Sequence, residues 1–195
     1  GPQVQAALKK LGALDIQIIC PLHGPVWRSN IPYLLDKYQR WSTYTPEDQG
    51  VVILYGSMYG NTENAANVLA CALAEKGVKN IAVYDVSSAH VSQAIAEAFR
   101  VSHIVLASPT YNGGLYPAME HVLLDMKALN LQNRTVALIE NGSWANTSAK
   151  QMRAILETMK NITVMETSIS VKSALRDDQL AQTEDLAGQI ASEIL

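Results

Sequence analysis

Cysteine is almost missing from these 195 residues: Cys20 and Cys71 are the whole supply, they stand far apart, and no C-x-x-C occurs. Two reduced thiols in the core of a cytoplasmic protein are therefore expected. A surplus of either charge is missing too. The formal net charge is −3, which argues against nucleic acid or an anionic membrane surface as a partner. No apolar run approaches the ~20 residues of a membrane span, and the first residues lack the basic-then-apolar pattern of a signal peptide. Internal repeats and low-complexity stretches are absent as well. The sequence has no initiating Met and opens with Gly1-Pro2 in an apparent helix, as expected of a fragment or a processed chain. Hydrophobic residues make up 48%, enough for one substantial core with a smaller appendage.

The apolar residues fall into two regions. Residues 1–44 read as a short helix with Val4, Ala7, Leu8 and Leu11 on one face, a strand from Ile16 to Cys20, a Pro/Gly loop, and a helix carrying Ile31, Leu34, Leu35 and Tyr38. That is too little to form a domain alone. Residues 45–50, polar and broken by Pro46 and Gly50, read as a linker. From Val51 onward, apolar strands at 51–55, 81–84, 101–106, 135–139 and about 162–171 alternate with helical patterns. The helices carry Ala65, Val68, Leu69, Ala72 and Leu73, then Val91, Ala94, Ile95 and Ala98, then Met119, Val122, Leu123 and Met126. The fourth has Met152, Ile155, Leu156 and Met159, and the last Leu180, Leu186 and Ile190. Continuous apolar strands separated by amphipathic helices predict an α/β fold, a parallel sheet covered on both faces. Right-handed crossovers make it a doubly wound sandwich.

In such a sheet ligands bind beyond the carboxyl ends of the strands, so the loops there carry the chemistry. After the first strand comes Gly56-Ser57-Met58-Tyr59-Gly60-Asn61-Thr62, running into a helix. A helix N-terminus opened by such a loop aims free N–H groups at one point and can cradle a phosphate. The loop has neither the Lys of a Walker A loop nor a dinucleotide fingerprint. The phosphate would be held by amides, the helix dipole and the hydroxyls of Ser57 and Thr62. An ordinary turn capped by Asn61 or Thr62 would read the same way. The third strand leads into Ser108-Pro109-Thr110-Tyr111-Asn112-Gly113-Gly114, and the fourth into Asn141-Gly142-Ser143-Trp144. Tyr111 and Trp144, with Tyr59 and Met58 as alternatives, offer faces to a flat heteroaromatic ring, and Gly113, Gly114 and Gly142 let backbone groups approach its edge. An isoalloxazine on a ribityl phosphate meets all three requirements. ATP or GTP would call for a lysine and a metal-holding carboxylate that these loops lack.

These segments resemble the flavodoxins, and more closely the flavodoxin-like domain of the flavodiiron proteins. Ser57 to Glu63 is similar to that family's first FMN loop, Ser108 to Asn112 to its second, and Gly142-Ser143-Trp144 to its third. Flavodoxin with its FMN is itself an established example of ligand binding at the switch point of such a sheet. The resemblance implies a flavodoxin-like five-stranded parallel sheet of order 2-1-3-4-5 in residues 51–195, with FMN as cofactor. The third loop departs from the pattern, since many members have a further glycine between the residues matching Ser143 and Trp144. Ile19-Cys20-Pro21-Leu22-His23-Gly24-Pro25 resembles the end of the family's metallo-β-lactamase-like domain, with His23 as an iron ligand. Residues 1–44 would then be the C-terminal remnant of that domain. The family's H-x-E-x-D-type motif is absent, so the di-iron centre is expected only in the complete protein.

The resemblance further implies electron transfer through FMN to iron that reduces O2 or NO. It also implies a redox partner such as rubredoxin or a rubredoxin reductase, and a homodimer in the complete protein. Rival readings are a flavodoxin-like NAD(P)H-dependent quinone reductase and a stand-alone flavodoxin. A signalling receiver would need an Asp at the end of the third strand, where Ala107-Ser108 stand.

Overall fold

A computed structural model describes residues 1–195. The chain divides into two compact units, Gly1–Glu47 and Asp48–Leu195.

In the first unit, α1 (Pro2–Leu11) and α2 (Ile31–Thr43) bound an apolar concavity of about 360 Å³ lined by Leu8, Leu11, Ile19, Trp27, Leu34 and Leu35, with His23 at its edge. The α1 helix buries no residue and α2 only Leu34 and Ser42, so this unit has almost no core of its own. The strand expected at Ile16 to Cys20 is reduced to one antiparallel bridge, Ile19 with Trp27, closed by hydrogen bonds of 2.9 and 3.0 Å. A strand needs a neighbour along its length, and residues 1–47 supply none.

The second unit runs β1 (Asp48–Tyr55), α3 (Asn61–Glu75), β2 (Ile81–Asp85), α4 (Val91–Arg100), β3 (Val101–Tyr111), β4 (Gly114–Leu115), α5 (Pro117–Ala128), β5 (Arg134–Asn141), α6 (Ser148–Leu156), β6 (Ile162–Val171) and α7 (Asp177–Ile194). Five strands pair in parallel in the order β2-β1-β3-β5-β6, which is the expected order 2-1-3-4-5 once the small β4 is set aside. Alternate side chains of each strand serve opposite faces. Val51, Ile53, Val105 and Ile139 meet α3 and α7, while Val52, Leu54, Ile104, Leu106 and Leu138 meet α4, α5 and α6. Each fully buried aliphatic side chain contributes about 1.5–3 kcal/mol.

Four details differ from the sequence expectation. Asp48–Gly50 belong to β1 and not to a linker: Asp48 pairs with Val101 across a bulge, and a Cβ on Gly50 would lie 2.7 Å from Asn80 O. The segment after β3 is a hairpin, with Thr110 opposite Leu115 and Tyr111 opposite Gly114. Its two turn residues, Asn112 (φ 48°) and Gly113 (φ 73°), both take the left-handed region, the conformation of a type I′ turn and the one Asn-Gly favours. Cys20 and Cys71 are exposed and not core thiols. On α3 the buried positions are 62, 65, 66, 69, 72 and 73, and residue 71 falls on the opposite side of the 3.6-residue repeat. Leu180, expected on the inner face of the last helix, is exposed, and Val68, Ile155 and Met159 are half-buried.

Candidate functional site

The register levels the carboxyl ends of the strands: Tyr55 stands beside Ala107, Pro109 beside Asn141, and Asn141 beside Val171. The segments that follow β1, β3 and β5 therefore emerge side by side. Between them lies a polar concavity of about 300 Å³.

The β1 loop supplies Ser57, Met58, Tyr59, Asn61 and Thr62 to this concavity. Gly60, at φ 82°, turns the chain into α3 and has no side-chain cap; its N–H donates to Ser57 Oγ at 3.0 Å. The first amide bonded within the helix is that of Asn64, to Gly60 O at 2.8 Å. The N–H groups of Asn61, Thr62 and Glu63 are thus the ones a helix start leaves for an outside acceptor. Nothing lies within 4 Å of where a Gly60 Cβ would stand, so this backbone faces open space.

Pro109 and Thr110 come from the end of β3, and Asn141, Gly142 and Ser143 from the end of β5. Asn141, nearly buried, ties the parts together, its Nδ2 donating to Thr62 Oγ1 at 3.3 Å and to Ser173 O at 3.0 Å. Gly142 leaves no space for a side chain, since a Cβ would stand 2.3 Å from Asn146 Oδ1. Asn146 in turn donates to Ser170 Oγ and Val171 O at 2.8 and 3.0 Å. The Ser170 hydroxyl donates to Glu140 Oε1 at 3.0 Å, and Ala149 N donates to Glu140 Oε2 at 3.1 Å.

A second concavity of about 510 Å³ adjoins the first, sharing Thr110, Gly142 and Ser143 and adding Asn112, Gly113 and Trp144. Its hairpin wall is held by Thr147 Oγ1 and Gln151 Nε2, which donate to Gly113 O at 3.1 and 2.8 Å. Tyr59 is 89% and Trp144 99% exposed, so two aromatic side chains stand free at the rim. Volumes of this size accept a small organic ligand.

Four residues named from the sequence line neither concavity. Gly60 shapes the turn, and Gly114 pairs with Tyr111 in the hairpin. Ser108 is fully buried and accepts from Ser148 Oγ at 2.8 Å through its carbonyl, fastening β3 to α6. Tyr111 packs edge-on against Tyr116 with ring centroids 6.4 Å apart. Tyr116 in turn fills the space beside Gly56, where a Cβ would come within 2.5 Å of its ring. Ser173 lines the first concavity and was not foreseen. It follows the last strand in a short segment without glycine or aromatic residues, which gave sequence reading nothing to fix on. No lysine or arginine lines either concavity. The Tyr55 hydroxyl is raised above its ordinary pKa first by burial and then by the nearby carboxylates of Glu63 and Asp85. His23 is exposed in the first unit, and no three His, Cys, Asp or Glu side chains converge anywhere in the chain to hold a metal.

The donor set fits an FMN-type ligand. Helix amides and hydroxyls face one end, and glycine-lined backbone and free aromatic rings face the other. The relatives agree with that fit. The chain is 27% identical over 194 residues to the rubredoxin-oxygen oxidoreductase of Megalodesulfovibrio gigas, covering 97% of this chain and 48% of that protein. It is 23% identical over 167 residues to the anaerobic nitric oxide reductase flavorubredoxin of Escherichia coli, covering 85% of this chain and 34% of that protein. The solved flavodiiron protein of Giardia intestinalis superposes with a TM-score of 0.90 over 99% of this chain and 48% of its own, at 22% identity, and so shares the fold. The chain spans about half the length of the curated relatives it matches, or less. Residues 53–185 match the flavodoxin family model, and with the strand order and the three loops in place the chain belongs to the flavodoxin family.

Proposed function

We propose that residues 48–195 bind one FMN and serve as the electron-transfer module of a flavodiiron-type oxidoreductase. The observation that carries this reading is the convergence of the β1, β3 and β5 loops on one concavity into which the N-terminus of α3 opens. FMN, when bound, supplies one- and two-electron redox chemistry. The chain's own residues bind and orient it. The amides of Asn61, Thr62 and Glu63 and the hydroxyls of Ser57 and Thr62 take the phosphate, assisted by the helix dipole. Gly142 and Gly113 bring backbone groups to the ring edge, and Tyr59 and Trp144 are free to cover its faces. No side chain of this unit is needed as a general acid or base.

The finer parts of the reading come from the relatives. Residues 1–44 would be the tail of a metallo-β-lactamase-like domain, followed by a short linker that begins at residue 45. His23 would give one ligand to a di-iron centre that reduces O2 or NO, fed by a rubredoxin-type donor, in a homodimer. The donors in this chain do not build that centre, because His23 has no partner ligands. The role is tested by potentiometric titration of the FMN-loaded chain together with an NADPH oxidation assay. Reversible flavin reduction without direct NADPH oxidation is expected. Rapid turnover with NADPH and a quinone would instead identify a quinone reductase.

A further inference from the structure

We propose that Ser173, in the turn after β6, is a fourth-loop contact to the phosphate end of the bound ligand, closing that end together with Ser143. The proposal rests on the FMN reading above and assigns a further residue to the same site.

The register brings this turn to the site, since Asn141 pairs with Val171 and the end of β6 is level with the end of β5. Lys172 and Ala174 form a bridge that reverses the chain within three residues, and Ser173 at its apex takes φ 64°. A left-handed backbone is unfavourable for a residue with a Cβ, and glycine or asparagine would hold the turn at lower cost. What serine adds is a hydroxyl, and it lies 3.0 Å from that of Ser143. Two hydroxyls in contact share one proton, so the pair keeps one O–H to give outward. Both residues line the concavity.

The backbone of Ser173 fixes which end of the ligand this pair would meet. Its carbonyl accepts from Asn141 Nδ2 at 3.0 Å, and the same nitrogen donates to Thr62 Oγ1 at 3.3 Å. Ser173 is therefore linked through Asn141 to Thr62 and the start of α3. Thr62 Oγ1, occupied as an acceptor, retains its own proton for a ligand. A phosphate has three outer oxygens and is best held by donors from more than one side. The amides and hydroxyls of the β1 loop approach from one side, and the Ser143–Ser173 pair supplies another. With no cation lining the concavity, each neutral donor to the phosphate carries a larger share of its binding.

The test uses two variants that the turn tolerates. Ser173→Gly removes the hydroxyl while relaxing the backbone, and Ser173→Asn keeps a polar donor in a left-handed turn. Apo-protein of each is titrated with FMN and with riboflavin, following flavin fluorescence. Ser173→Gly should weaken FMN binding about tenfold and leave riboflavin unchanged, while Ser173→Asn stays within about threefold of the parent. Equal losses for FMN and riboflavin, or unchanged FMN affinity in Ser173→Gly, would overturn the assignment to the phosphate. A parent chain that binds neither flavin would overturn the FMN reading and this proposal with it.

Discussion

One carboxamide holds two walls of the site together. Asn141 gives its two N–H bonds to Thr62 and Ser173, so the start of α3, the proposed phosphate end, and the turn after the last strand are set by the same group. Thr62 is 2% exposed, and its hydroxyl accepts from Asn141 and has its own proton to give to the proposed phosphate. Thr62→Ala should therefore cost about 1.5–3 kcal/mol of FMN affinity, read by fluorescence titration of the apo-protein; an unchanged Kd would mean that the phosphate sits elsewhere. Arg134 is a buried residue of a different kind. Its guanidinium donates to Ala98 O, Phe99 O, Gln132 O and Asn133 O at 2.6–3.0 Å, capping the end of α4 from the start of β5. Burial pulls its pKa down to about 10, so it is still charged at neutral pH. Arg134→Met would strand those carbonyls and should destabilise the fold by about 3 kcal/mol. Urea unfolding would show it as a lower midpoint with unaltered m, and FMN affinity at the far end of the sheet should not change.

At the scale of elements, α3 carries the proposed phosphate site and also a charge that would oppose it. Glu63 lies in the first turn, where a carboxylate suits the helix dipole but repels a phosphate dianion. The same carboxylate helps to raise the pKa of Tyr55 at the end of β1. Glu63→Gln should tighten FMN binding by about 0.3–1 kcal/mol at low ionic strength, with the gain fading as salt is raised. A salt-independent gain, or none, would show that the charge does not reach the phosphate. The α3 helix was legible in the sequence because Ala65, Leu69, Ala72 and Leu73 recur at helical spacing, and the central strands because Val51–Leu54 and Ile104–Leu106 are continuous apolar runs. Less legible was what depends on pairing. The strand at Ile16 to Cys20 has the right composition and lacks a neighbour. The β3–β4 hairpin was hidden because the Asn112-Gly113 signal sits inside a segment that reads as a ligand loop. Ser173 was hidden for another reason: only the register of β6 against β5 brings it to the site.

At the scale of the whole chain, the two units differ in how much they bury. Asp48–Leu195 has a core on each face of its sheet, whereas Gly1–Glu47 leaves an apolar concavity open. The proposed flavin site lies wholly within the larger unit, and His23 belongs to the smaller one. In a longer form that carries the remaining ligands, His23→Ala should lower iron content and terminal reductase activity while FMN stays bound, as metal and flavin analysis on one sample would show. Retained iron would return His23 to the role of an ordinary loop residue. The central claim is tested most directly by identifying and counting the flavin on the chain itself. After reconstitution and removal of excess cofactor, chromatography of the released flavin should give one FMN per chain, with no FAD and no stoichiometric iron. FAD as the released species, or no retained flavin, would contradict the account.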